Sequence, residues 1–159
     1  KLITLCEFLV SMDLITSKIK NFLIQQKLGY VATVSSDGMP NISPKGTIVG
    51  WDSETLAFAN IRSPDTIDNL KNNPNVEINV IDPILRKGYL FSGVCTILTD
   101  GNLFDDIFSY YRNYGVTSMI HSIVLVKLSK ISPVTSPLYD VGISEAEMKL
   151  KWKTHFEIL

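Results

Sequence analysis

Cysteine and histidine are scarce in this chain, with two of each among 159 residues. Cys6 and Cys95 lie far apart and form no C-x-x-C unit, and His121 and His155 are the only imidazoles, so no metal site is expected. An excess of charge of either sign is also lacking. The formal net charge is −1 with 19% charged residues, which argues against disorder and against a polyanion-binding surface, and no nucleic-acid partner is expected. Long apolar runs are missing as well. The opening segment KLITLCEFLVS is interrupted by Glu7, has no small-residue cleavage pattern and is too short to span a bilayer, so no membrane partner is expected. Met12 makes a natural start. Residues 1–11 therefore read as a non-native or disordered leader, or as the beginning of the first helix, and residues 12–159 read as one domain. A reduced, cytoplasmic setting is the expectation. What the chain does have is 45% hydrophobic residues at the length of one ordinary domain, enough to bury a core without metals or cross-links.

The apolar pattern changes period along the chain. Ile15, Ile19, Phe22 and Leu23 fall at helical spacing and predict a helix over 13–27, with Gly29 as its stop. Period two follows. Leu28, Tyr30, Ala32 and Val34 alternate with their neighbours, SDGMP supplies turn chemistry, and NISPKGTIVG and TLAFAN read as further strands. A short helix is expected to end at Asn73 and Pro74, before a strand in NVEINVID and a long one in GYLFSGVCTILT, where Gly88 and Gly93 mark a bend or a close approach. Leu103, Phe104, Ile107, Phe108 and Tyr111 predict a helix over 102–114. SMIHSIVLVKLSKI is apolar on both faces, as a central strand is, and His121 is placed within it. Ser144 and Glu147 form a capping box for a last helix whose Met148, Trp152 and Phe156 share one face, read either as core or as a partner surface. About six strands with short connections and peripheral helices favour a small, mainly β barrel.

Familiar catalytic sets are absent. There is no G-x-S-x-G, H-E-x-x-H, Walker loop or post-strand G-x-G-x-x-G, and no side chain is assigned as catalytic. Any difficult chemistry would then belong to a cofactor. In RSPDT, Ser63 suits an N-cap and Pro64 a first helical residue, so the helix start at residues 64–66 should present backbone N–H groups to an anion, assisted by Arg62 and by the Ser63 and Thr66 hydroxyls. The plainer alternative is a capped helix in which Arg62 pairs with Asp65 or Asp68. In NISPKGT, Ser43, Lys45 and Thr47 share one face of an extended segment, beside Pro44 and Gly46. Here the alternative is an edge lysine with its ammonium in solvent. A hydroxyl-rich strand with a cation, next to an arginine at a helix start, suits a polar ring system carrying a phosphate.

DGMPNISPKGT, LAFAN, RSPDTIDNLKNNPNV and KGYLFSGVCTI, in this order, resemble the FMN-binding split-barrel proteins related to pyridoxamine 5'-phosphate oxidase, and SPLYDVGISEAEMKLKW is similar to the ending of their short flavin-nucleotide-binding branch. The resemblance runs over residues 14–156. It implies a six-stranded antiparallel split barrel that forms a homodimer with FMN at the subunit interface. Ser43, Pro44, Lys45 and Gly46 would lie along the flavin ring and ribityl chain. Asn60, Ile61, Arg62 and Ser63 would pass beneath the phosphate, Thr66 would bind it and Asn69 would steady the loop. Asp65 departs from the basic residue that many relatives carry, and the arginine-containing C-terminal segment that binds the pyridoxal substrate has no equivalent. The resemblance thus implies an FMN-dependent oxidoreductase of unknown substrate, with a nicotinamide or small-molecule redox partner. The alternative is a non-catalytic FMN carrier or electron-transfer protein.

Overall fold

A computed structural model describes residues 14–158 of the chain. The expected leader at 1–11, the start at Met12 and Cys6 lie outside the described residues. Helix α1 runs from Ser17–Gln26, later than the spacing predicts, because Thr16 caps it: its hydroxyl accepts from the Ile19 N–H at 3.4 Å. The stop is Lys27, in the left-handed region at φ 52°, rather than Gly29. Gly29 instead opens strand β1 (Gly29–Val34), where a Cβ would come within 2.5 Å of Ile48 Cδ1 and 2.7 Å of Val80 Cγ2.

The run PNISPKGTIVG divides into β2 (Pro40–Lys45) and a two-residue β3 (Val49–Gly50), and β4 (Thr55–Asn60) follows. Helix α2 (Pro64–Asn72), β5 (Asn75–Asp82), β6 (Lys87–Leu98), α3 (Asn102–Asn113) and β7 (Ser122–Thr135) come next, and α4 (Glu145–His155) ends the fold. One antiparallel sheet of seven strands has the order β2-β1-β5-β6-β7-β4-β3. Its two edge strands are consecutive in the chain. Only residues 46–48 join them, a span of at most about 14 Å even when extended, so the sheet must curl until its edges nearly meet. The seventh strand arises from that bend, which interrupts a run that the alternation reads as continuous. At Gly93 the expected irregularity is a register shift between Ser92 and Gly93, where a Cβ would lie 2.5 Å from the Lys127 carbonyl oxygen.

Curling gives the sheet an inner and an outer face. The inner face, with Val31, Leu56, Phe58, Ile78, Phe91, Val124 and Val126, packs under α1 and α2. Where α3 covers the outside, Ala57, Ala59 and Ile123 form a second cluster with Ile107 and Tyr111. The first half of β7 is buried on both faces for this reason, so it lacks the alternation of a one-sided strand. His121 is exposed and precedes β7, its N–H donating to the Asn60 carbonyl at 2.9 Å. Of the predicted stripe on α4, Met148 is fully buried, Trp152 is half-buried beneath the Arg86 guanidinium at 3.5 Å, and Phe156 is 45% exposed. Cys95 is a buried free thiol. No described helix is long and apolar enough to cross a membrane.

Candidate functional site

The pleat of β2 sorts its side chains. Pro40, Ile42 and Pro44 face outward, while Asn41, Ser43 and Lys45 turn toward the interior beneath α2. A polar row therefore occupies positions where an apolar one would be expected. Its last member is the most unusual, for Lys45 is only 5% exposed and has no carboxylate partner among the described residues. Its ammonium donates to Ser43 Oγ and, at 2.7 Å, to Ser63 Oγ. Desolvation holds its pKa below the ordinary lysine range. An edge lysine in solvent is thus not what the fold makes of this residue.

The bond from Lys45 changes the start of α2. Ser63 occupies the N-cap position and Pro64 the first turn, as their order in RSPDT predicts, yet the Ser63 side chain makes no capping bond. Its hydroxyl already serves Lys45. Pro64 has no N–H, so the first-turn donors left without an intrahelical partner are those of Asp65 and Thr66; the Ile67 N–H reaches the Ser63 carbonyl at 3.3 Å. Arg62 is exposed and makes no ion pair or side-chain hydrogen bond among the described residues. Asp68 pairs with Lys71 at 3.3 Å instead, so the plainer role proposed for Arg62 as its partner is not realised. Asp65, exposed in the first turn, is the nearest acid in sequence.

Pro44, Lys45, Gly46, Thr47, Ile61, Arg62 and Ser63 come together, with Ala59, around one cavity of about 280 Å3. Strand end and helix start, 18 residues apart at Lys45 and Ser63, meet through a single hydrogen bond. Other candidates stand behind this wall. Ser43 supports Lys45; Asn60 Nδ2 donates to Ser122 Oγ at 3.1 Å; Thr66 is 1% exposed under the helix start. Asn69 is buried and its Nδ2 donates to Thr33 Oγ1 at 3.0 Å, fastening α2 to β1. Thr47 lies beyond β2 rather than in it, and its Oγ1 accepts from the Ala59 N–H at 2.9 Å. Sequence reading missed Asn41, whose buried Oδ1 has no donor among the described residues, and the Tyr111 hydroxyl, which donates to the Thr47 carbonyl at 2.9 Å. The period-two polar row could have revealed Asn41. Nothing local could have paired Tyr111 with Thr47, which lie 64 residues apart.

The arrangement suits an anion and a polar ring. Two cations and a helix start without a side-chain cap border one cavity, and one of the cations is buried with only hydroxyl partners among the described residues. Comparison with known proteins agrees on the fold. Residues 15–132 match the family model described as pyridoxamine 5'-phosphate oxidase. HupZ from Group A Streptococcus is similar at 27% identity and a TM-score of 0.70, over 76% of this chain and 94% of that one. An FMN-binding protein from Syntrophomonas wolfei subsp. wolfei shares 20% identity, a TM-score of 0.65, and 75% and 85% of the two chains. An F420 reductase shares 23% identity, a TM-score of 0.57, and 74% and 98%. No curated protein matches the chain.

Proposed function

The chain belongs to the pyridoxamine 5'-phosphate oxidase family, and from that premise we propose that it is an FMN-binding flavoprotein acting as an oxidoreductase. The observation that carries the reading is the buried Lys45, a cation whose partners among the described residues are hydroxyls, at the wall of a cavity that Arg62 also lines. A buried ammonium without an anion is costly, and an anionic ligand would supply the missing charge. The donor set fits FMN: Arg62 and the start of α2 hold the phosphate, Ser63 and Thr66 stand behind them, and Pro44, Lys45 and Gly46 border the ring. When bound, the flavin supplies the redox chemistry. Lys45, held in place by Ser43 and Ser63, stabilises negative charge next to the ring without having to reorganise.

The proposed unit is a homodimer with the flavin between subunits. Outside the cavity, Tyr30, Val34 and Ile42 are 48%, 38% and 67% exposed on the outward face of β1 and β2, a surface that continues into Pro44 at the cavity wall. Such a patch is suited to a second copy, and a ring as broad as isoalloxazine needs a second wall. The deciding experiment titrates FMN and riboflavin into wild type and Arg62→Ala. Arg62→Ala should weaken FMN by about 1.5–3 kcal/mol and barely alter riboflavin, which lacks the phosphate. An unchanged ratio of the two dissociation constants would mean that Arg62 does not read a phosphate. Turnover with NADH or NADPH separates an oxidoreductase from a carrier.

A further inference from the structure

A second cavity, of about 180 Å3, adjoins the first, and Gly46 and Thr47 line both. Its far wall is aromatic. Tyr110 and Tyr114 stack with centroids 4.4 Å apart, and Trp51 meets Tyr110 edge-on at 5.9 Å. Ile24, Ile48 and Val49 complete an apolar lining. The frame is fixed, because the Tyr111 hydroxyl ties α3 to the Thr47 carbonyl at 2.9 Å. Tyr114, 62% exposed, stands where the cavity meets solvent. Among the lining residues Lys27 carries the one charge and there is no carboxylate; Lys27 makes no ion pair among the described residues.

Size and chemistry narrow the ligand. A sealed cavity of about 150 Å3 accommodates benzene, so the recess of about 180 Å3 takes a single ring with a small substituent. Tyrosine faces favour a planar ring, and a cationic lining without acids favours an anion over a cation. We propose that the open cavity lined by Ile24, Ile48, Val49, Tyr110 and Tyr114 binds a single-ring aromatic carboxylate, with the ring on the tyrosine wall and the carboxylate toward Lys27. The assignment stands without the flavin reading. If FMN occupies the first cavity, the shared Gly46 and Thr47 place the two ligands on either side of one segment of chain.

The test uses the protein as purified, with amide NMR shifts followed during titration with benzoate, neutral benzamide and non-aromatic cyclohexanecarboxylate. Benzoate should saturate at one site, with shifts centred on residues 46–49 and 110–116, and should bind more tightly than either analogue. Lys27→Gln should weaken benzoate about fivefold, near the upper limit for an ion pair at an open mouth, and leave benzamide unchanged. Tyr114→Ala should weaken both aromatic ligands. The proposal is overturned by the absence of saturable benzoate shifts, by shifts centred on Arg62 and Ser63, by equal binding of the three ligands, or by Lys27→Gln and Tyr114→Ala variants that bind as wild type does. A colourless, flavin-free preparation tests the site equally well, so failure here and failure of the FMN reading are separate results. Where flavin is bound, its absorption bands should also shift on adding benzoate.

Discussion

Two serines stand at the same position of two helices and do different work. Ser144, before α4, forms a full capping box: the Glu147 N–H donates to its Oγ at 3.2 Å, and its own N–H donates to Glu147 Oε2 at 2.8 Å. Ser63, before α2, has an N-cap's place in the chain, but its Oγ accepts from the Lys45 ammonium at 2.7 Å. The difference comes from what lies opposite. Beyond Ser144 is solvent, and the local bond has no rival; beyond Ser63 is a buried ammonium whose need for an acceptor outweighs the roughly 1 kcal/mol that a cap contributes. A helix start left open in this way, beside an arginine without an ion pair among the described residues, is a feature that serves a ligand better than it serves the helix.

The comparison breaks first at Lys45. Lys45→Met should lower FMN affinity roughly 10- to 100-fold by removing a charge-assisted contact, while the unfolding midpoint of the unliganded protein stays equal or rises. FMN titration paired with thermal unfolding measures both, and a fall in the midpoint with unchanged affinity would assign Lys45 a purely structural role. The next largest effect is the coupling between Lys45 and Ser63. A double-mutant cycle of Lys45→Met and Ser63→Ala, read by urea unfolding, should give an interaction energy of about 0.5–3 kcal/mol, because Ser63 becomes free to cap α2 once the ammonium is gone. Additivity would show that the two residues act independently. Ser144→Ala sharpens the contrast. It should cost about 1 kcal/mol on its own and add simply to Lys45→Met, since its bonds are all local.

The smallest expected effect is on pH dependence. Burial lowers the Lys45 pKa, so between that lowered value and the ordinary lysine value near ~10.4 the unfolded chain binds more protons than the folded one. Stability of the unliganded protein therefore rises with pH across that window, and the burial cost is fully present below it. Unfolding followed from neutral to alkaline pH should show this rise in wild type and lose it in Lys45→Met. FMN affinity should fall over the same range, as the cation opposite the ligand is discharged.

How legible these features were depended on the distance over which each is decided. The capping box at Ser144 and Glu147 was readable because its partners lie three residues apart. The curled antiparallel sheet, the α2 boundary near Asn73 and the alternation of Lys45 with outward Pro44 were readable for the same reason, since the β pleat and turn chemistry are local. The stop of α1 was not, because Gly29 was needed for close approach by Ile48 and Val80, contacts that exist only once the sheet has formed. Trp152 likewise belonged to an apolar stripe in the sequence but lies under Arg86, on the turn between β5 and β6.

By itself, then, the sequence determined the periods, the turns and the one capping box at Ser144, the inward row that includes Ser43 and Lys45, and the order of motifs that placed the chain in its family. Tertiary structure decided which partner each polar group takes. Lys45 could have reached solvent, and Ser63 could have capped its helix. Each does otherwise because sheet curvature brings the end of β2 against the start of α2, where Lys45 is almost wholly covered and its ammonium finds its acceptors within the protein or in whatever binds beside it.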